Sequence, residues 1–133
     1  MENASPSPPH LGVQSVAMPE HKNSHGAIFG GWLMCQMDLA GTIVSRNYQE
    51  DAGAEDILTI KVSELVFEKP VYVGDVIECW VQITDLGKTS ITTKISVNAR
   101  RKSDNKLIEN VAHGIFKYVN TKDGKPFAIM RKQ

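Results

Sequence analysis

An α+β fold, with one long apolar helix laid across a curved antiparallel sheet, is predicted by three observations. Residues 26–44 are almost all apolar or small, a run longer than a strand needs. Downstream the period changes to two, in long segments separated by short turn sequences. With 133 residues, 41% of them hydrophobic, the chain has the size of one domain able to bury a real core. A single sheet of that extent has one face to cover, and one helix is available to cover it.

The elements follow in order. LGVQSVAM, before the helix, supplies a first strand, and LTIKVSELVF supplies the first one after it, ending before Pro70. In that segment Ile60 and Val62 share one parity while Leu65 and Phe67 share the other, which places a bulge near Glu64. VIECWVQITDL sets Ile77, Cys79, Val81 and Ile83 against Glu78, Trp80 and Gln82, and SITTKISVNARR repeats the alternation from Ile91 to Ala99. The turn Asp85-Leu86-Gly87-Lys88 joins these two strands, and Ser103-Asp104-Asn105 leads to a last strand over residues 106–119. The expectation is therefore a strand, a helix, and four strands in antiparallel succession. The domain spans residues 11–120, between a disordered leader at 1–10 and a polar tail at 121–133.

Several function classes are disfavoured by composition. Lys and Arg number 15, as do Asp and Glu, so no net field draws the chain to nucleic acid or anionic membrane. Cys35 and Cys79 lie in apolar segments without C-x-x-C spacing, which predicts small buried hydrophobes and a reduced, cytoplasmic setting. The leader MENASPSPPH has neither a basic start nor an apolar run, so it does not read as a secretory signal. His10, His21, His25 and His113 form no i, i+4 pair and no group with acidic or Cys ligands, so no metal site is expected. The helix is too polar at Gln36 and Asp38 to insert in a membrane, and burial on nearly all sides within a protein explains it better.

Asp38 is a carboxylate in the most apolar part of the chain. The run Asn23-Ser24-His25-Gly26, then Ile28-Phe29-Gly30-Gly31-Trp32, then Gln36-Met37-Asp38, resembles the opening of the YciA-type acyl-CoA thioesterases. Phe67-Glu68-Lys69-Pro70, Val73-Gly74-Asp75-Val76 and Gly87-Lys88-Thr89-Ser90 are also similar to that family, so the resemblance spans about residues 18–119. It implies the hotdog fold, hydrolysis of an acyl-CoA to a free acid and coenzyme A, and no metal or organic cofactor. It also implies homodimers with two composite sites, often assembled further into hexamers.

The residues make chemical sense beside the resemblance. Thioester hydrolysis needs donors aimed at the developing oxyanion, a base or nucleophile at the carbonyl carbon, and a dry tunnel for the acyl chain. Gly26, Gly30 and Gly31 permit close backbone approach at a helix start, where free N–H groups favour a negative oxygen. Asn23 offers a side-chain amide, as a donor or to orient a water, although an N-cap or turn role would equally explain it. Asp38 is the candidate general base or nucleophile, and burial should raise its pKa. A purely structural carboxylate is the competing reading. For the substrate's coenzyme A portion the candidates are His25, Lys88, Thr89, Ser90 and Arg100, with a solvated strand edge as the plain alternative for the basic ones. Trp32, Met34, Met37 and Trp80 are candidate tunnel walls.

Spacing adds a constraint. Seven residues separate Gly31 from Asp38, so on one regular helix they share a face but stand ~10 Å apart. A thioester carbonyl ~3 Å from the donors at Gly31 cannot also be ~3 Å from Asp38 of the same chain. Two protomers with antiparallel helices would bring one chain's Asp38 to the other's helix start. The competing function is a non-catalytic acyl-CoA or lipid-binding sensor of the same fold, which would tolerate loss of Asp38. A hotdog dehydratase would need a histidine in the loop before the helix with its own acidic partner, and ranks last.

Overall fold

A computed structural model describes residues 8–49 and 56–129. Of the expected leader, residues 1–7 lie outside the described residues, and His10 already opens the first strand. The elements are β1 (His10–Val16), a 3-10 turn (Pro19–His21), α1 (Gly30–Gln49), β2 (Asp56–Phe67), β3 (Val76–Leu86), β4 (Ser90–Arg100), β5 (Leu107–Lys122) and the short β6 (Lys125–Pro126). The strands form one sheet in the order β1-β3-β4-β5-β2, with β6 on β5 and every pairing antiparallel.

The alternating segments behave as their pattern dictates. Ile77, Cys79, Val81 and Ile83 of β3, and Ile91, Thr93, Ile95, Val97 and Ala99 of β4, all face the core. Burial pushes the Cys79 thiol up to about 12, so it packs as a small apolar group. Thr93, the polar member of the row, donates its hydroxyl to the Phe116 carbonyl at 2.9 Å. The bulge falls where the change of parity puts it: Glu64 has φ +51°, and the β2–β5 register shifts between Ser63 and Val66.

Three features differ from the expectation. β3, β4 and β5 are neighbours in succession, but β2 lies beyond β5 at the far edge. The helix crosses the sheet between β1 and β2, so the strands before and after it emerge on opposite edges. The chain beyond residue 120 is also folded over its described part: Phe127 donates its N–H to Asn120 O at 2.9 Å, and Ile129 reaches the core. The helix, finally, begins at Gly30 rather than near residue 26, and it is not buried on nearly all sides. Leu33, Met37, Ala40, Gly41 and Val44 pack on the sheet, whereas Met34, Cys35, Leu39 and Ile43 face away from it and are exposed.

Two glycines set how closely α1 lies on the sheet. A Cβ on Gly41 would stand 2.0 Å from the Tyr118 hydroxyl oxygen and 2.9 Å from Ile95 Cδ1. A Cβ on Gly12 of β1 would stand 2.7 Å from Ala40 Cβ. Tyr118 therefore fills the space that Gly41 leaves, and its hydroxyl donates to the Asp38 carbonyl at 3.1 Å. At the far end of α1, Gln49 and Asn120 exchange reciprocal side-chain amide hydrogen bonds, both buried.

Gly41→Ala should thus destabilise the fold by about 1–3 kcal/mol through overpacking, although Ala is the better helix former by about 1 kcal/mol. Urea unfolding at fixed protein concentration checks this, and an unchanged or higher midpoint would mean that the helix can move off Tyr118 at no cost.

Candidate active site

The loop before α1 is organised by Asn23. Its carboxamide oxygen accepts the N–H of His25 at 2.8 Å and of Ala27 at 3.2 Å, while its own N–H reaches Ala27 O at 2.7 Å. Asn23 is therefore a turn-forming residue and not the helix cap, because the helix begins at Gly30, seven residues after it. With the oxygen engaged twice, the side-chain NH2 is the group left to offer a ligand. Gly26, at φ +90°, turns the loop but lies four residues before the helix, so it is not among the helix-start donors. His25 is exposed on the same turn.

The first bond back into α1 runs from Leu33 N–H to Phe29 O at 3.3 Å, so the N–H groups of Gly30, Gly31 and Trp32 lead the helix without intrahelical acceptors. A Cβ on Gly31 would meet nothing within 4 Å, whereas one on Gly30 would stand 3.2 Å from the Phe67 ring. Gly31 thus presents open backbone, and Gly30 is where Phe67 closes in. Beside them is a cleft of about 340 Å³ lined by Ile28, Gly30, Leu33 and Phe67 among others. Trp32 stacks on His21, with ring centroids 4.6 Å apart. Met37 is wholly buried and Met34 exposed, while Trp80 sits on the alternate positions of β3 with Glu78, its indole N–H donating to that carboxylate at 3.3 Å.

Asp38 stands two turns further along, half-buried in the single chain rather than enclosed. Thr59 of β2 donates its hydroxyl to Asp38 Oδ1 at 2.7 Å, and the Asp38 carbonyl accepts from Thr42 at 2.9 Å and from Tyr118. Burial, with the negative charge of Asp38 nearby, raises the Tyr118 pKa, so the phenol stays a donor to that carbonyl. The residue is thereby held at both its carboxylate and its backbone. Thr59 carries no local signal in the sequence, because it lies 21 residues away and is one of several threonines on strands.

The structure does not gather the remaining candidates. Lys88, Thr89 and Ser90 lie at one end of β4 and Arg100 at the other, roughly 30 Å apart at strand rise. Thr89 O and Ser90 O each accept a backbone N–H, and the Arg100 guanidinium donates to Asn105 O at 3.0 Å. One protomer cannot use both groups on the same phosphate. Among the described residues no group of three or more His, Cys, Asp or Glu could hold a metal ion, and no helix is long and apolar enough to cross a membrane.

The sequence pattern of the thioesterase superfamily matches residues 25–105. The chain is 34% identical over 122 residues to the acyl-CoA thioester hydrolase YciA of Escherichia coli, covering 90% of this chain and 89% of that protein. A hexameric thioesterase from Yersinia pestis superposes with a TM-score of 0.83 at 35% identity, covering 92% of this chain and 96% of the other. A hexameric hotdog fold thioesterase of Campylobacter jejuni does so with a TM-score of 0.81 at 37% identity, covering 90% of each. By matched pattern, shared length and architecture, this chain belongs to the thioesterase superfamily and has the hotdog fold.

Proposed function

We propose that the chain hydrolyses acyl-CoA thioesters in sites shared between two protomers, each formed by the Asn23 loop and helix start of one chain and Asp38 of the other. The observation that carries this reading is the placement of Gly31 and Asp38 on the same continuous helix, ~10 Å apart along it. The donor end and the acid end of one chain are too far apart to serve one carbonyl. A second copy supplies the missing half, and the two elements that hold Asp38 leave apolar side chains exposed for it: Leu58, Ile60 and Val62 on the edge strand β2, and Met34, Leu39 and Ile43 on α1. The similar Yersinia and Campylobacter proteins are described as hexameric, which favours a trimer of such dimers here.

In the reaction, the Asp38 carboxylate takes a proton from water as the water oxygen attacks the thioester carbon. Direct attack by the carboxylate, followed by hydrolysis of the anhydride, needs the same placement. The oxyanion that forms is met by the N–H groups at the head of α1 and by the Asn23 amide. Collapse breaks the C–S bond, and the proton held on Asp38 passes to the departing thiolate, giving a carboxylic acid and coenzyme A. No step calls for a metal or organic cofactor. Thr59, bonded to one carboxylate oxygen from β2, holds the orientation of the carboxylate.

A thiol-release assay over acyl-CoAs of increasing length tests the activity, and background rates at every length would favour a binding protein instead. Asp38→Asn should fold normally and lose about 10²–10⁴-fold in kcat. Thr59→Val should lower kcat by about 10-fold, the worth of one hydrogen bond to a charged group, while Thr59→Ser keeps most of the activity. Asp38→Asn and Asn23→Ala proteins, each nearly inactive, should regain roughly one quarter of wild-type activity per site when refolded together, because half of random dimers are mixed and half of their sites are whole. Recovery no higher than the mean of the two variants would place each site within one chain.

A further inference from the structure

Arg101 follows the coenzyme A candidate Arg100 in the chain, and the structure gives it a different occupation. It leaves the end of β4 and turns inward against the segment 70–75. One guanidinium nitrogen pairs with Oδ2 of Asp75, a carboxylate only 2% exposed, and the other donates to Pro70 O at 3.0 Å. Between those two grips the guanidinium lies over the Tyr72 ring, 4.9 Å from its centroid. Asp75 Oδ2 also accepts the Tyr72 N–H at 2.9 Å, and Asp75 N–H returns to Tyr72 O at 3.0 Å. Segment 70–75 is thus held at its start, its middle and its end by one planar cation, a task that suits a rigid fork and not a point charge.

The outer edge of that segment carries the Asn23 loop. Ile28 N–H donates to Val71 O at 2.8 Å, and Ala27 forms an antiparallel bridge with Tyr72. Ala27 is the residue whose N–H and carbonyl both bond to Asn23. An unbroken series of short contacts therefore runs from Arg101 through Asp75 and Tyr72 to Ala27 and Asn23.

We propose that Arg101 is a positioning residue for the hydrolytic site, holding the Asn23 loop against the head of α1 through the buried Asp75 and Tyr72. The inference rests on the thioesterase reading of Asn23. Arg101 touches no reacting atom in this account. Its part is to fix segment 70–75, so that the Asn23 amide and the helix N–H groups meet one oxyanion position. Misplacement of a catalytic donor by about 1 Å can cost on the order of 100-fold in rate, so a loosened segment should act on kcat and leave KM nearly unchanged.

The test compares Arg101→Lys, Arg101→Met/Asp75→Asn and Asn23→Ala, alone and combined, in the full chain with a single acyl-CoA well below each variant's melting temperature. The double variant removes the buried charge with its partner, which guards against a protein that simply fails to fold. Both Arg101 variants should lose about 10-fold or more in kcat, Arg101→Lys the less, with KM within about twofold. On the Asn23→Ala background the same changes should cost less than about twofold, because the donor they position is gone. A purely structural strut would cost the same factor on either background, and that result, or full kcat in the double variant, would overturn the inference. Wild-type kcat in Asn23→Ala alone would instead overturn the role of Asn23, and the inference with it.

Discussion

The closeness with which α1 lies on the sheet sets where every candidate group stands. At Gly41 the helix backbone comes down onto the Tyr118 hydroxyl, and at Ala40 onto Gly12, with no room for a methyl group at either glycine. The Tyr118 phenol then finds its acceptor in the carbonyl of Asp38, three residues back. A helix held farther off would lose that bond and would carry Asp38 away from Thr59, whose hydroxyl reaches it at 2.7 Å from β2. Packing density under the helix and orientation of the carboxylate are thus one constraint, expressed first as volume and then as hydrogen bonding.

The same docking divides the helix by chemistry. Its head is surrounded by backbone: the Asn23 turn, the Ala27–Tyr72 bridge and the Ile28–Val71 bond leave little freedom there. Its middle carries Leu39 and Ile43, which nothing in the single chain covers, and the edge strand β2 likewise leaves Leu58 and Ile60 exposed. The Asn23 loop is therefore rigid within one protomer, whereas Asp38 stands on a half-open stretch of the helix.

What the sequence made legible follows from which residues are forced. The inward faces of β3 and β4 could be read residue by residue, because a strand with one face in the core must alternate, although β3 runs on through Asp85-Leu86 and β4 stops at Arg100. The bulge at Glu64 was legible because a change of parity within one strand requires an extra residue. The position of β2 was not, since its apolar residues fall on both faces and its neighbour is decided by where the helix exits. The helix boundaries shifted for local reasons. Ala27 and Ile28 are taken into bridges with Tyr72 and Lys22, and the polar end of the helix is kept by the Gln49–Asn120 pair, 71 residues apart. Asp38 stood out because a carboxylate in an apolar run needs a reason. Thr59 and Arg101 did not, because their roles exist only once distant segments meet. The basic and hydroxyl residues assigned to coenzyme A shared a motif or a charge but not a place, and the length of β4 separates them.

The exposed apolar side chains and the half-buried carboxylate raise one problem together. Left to water, Leu58 and Ile60 on β2 and Leu39 and Ile43 on α1 cost hydrophobic free energy, and Asp38, on the same helix, stands partly open to solvent. In the proposed dimer, a second copy laid over α1 and the β2 edge would bury apolar residues and remove water from around the carboxylate at once. In a drier site the pull of the helix-head N–H groups on a developing oxyanion would be stronger. On the proposed mechanism, association would be the step that turns a stable fold into a reactive one, because the apolar side chains it buries lie on α1 and β2, the two elements that hold Asp38.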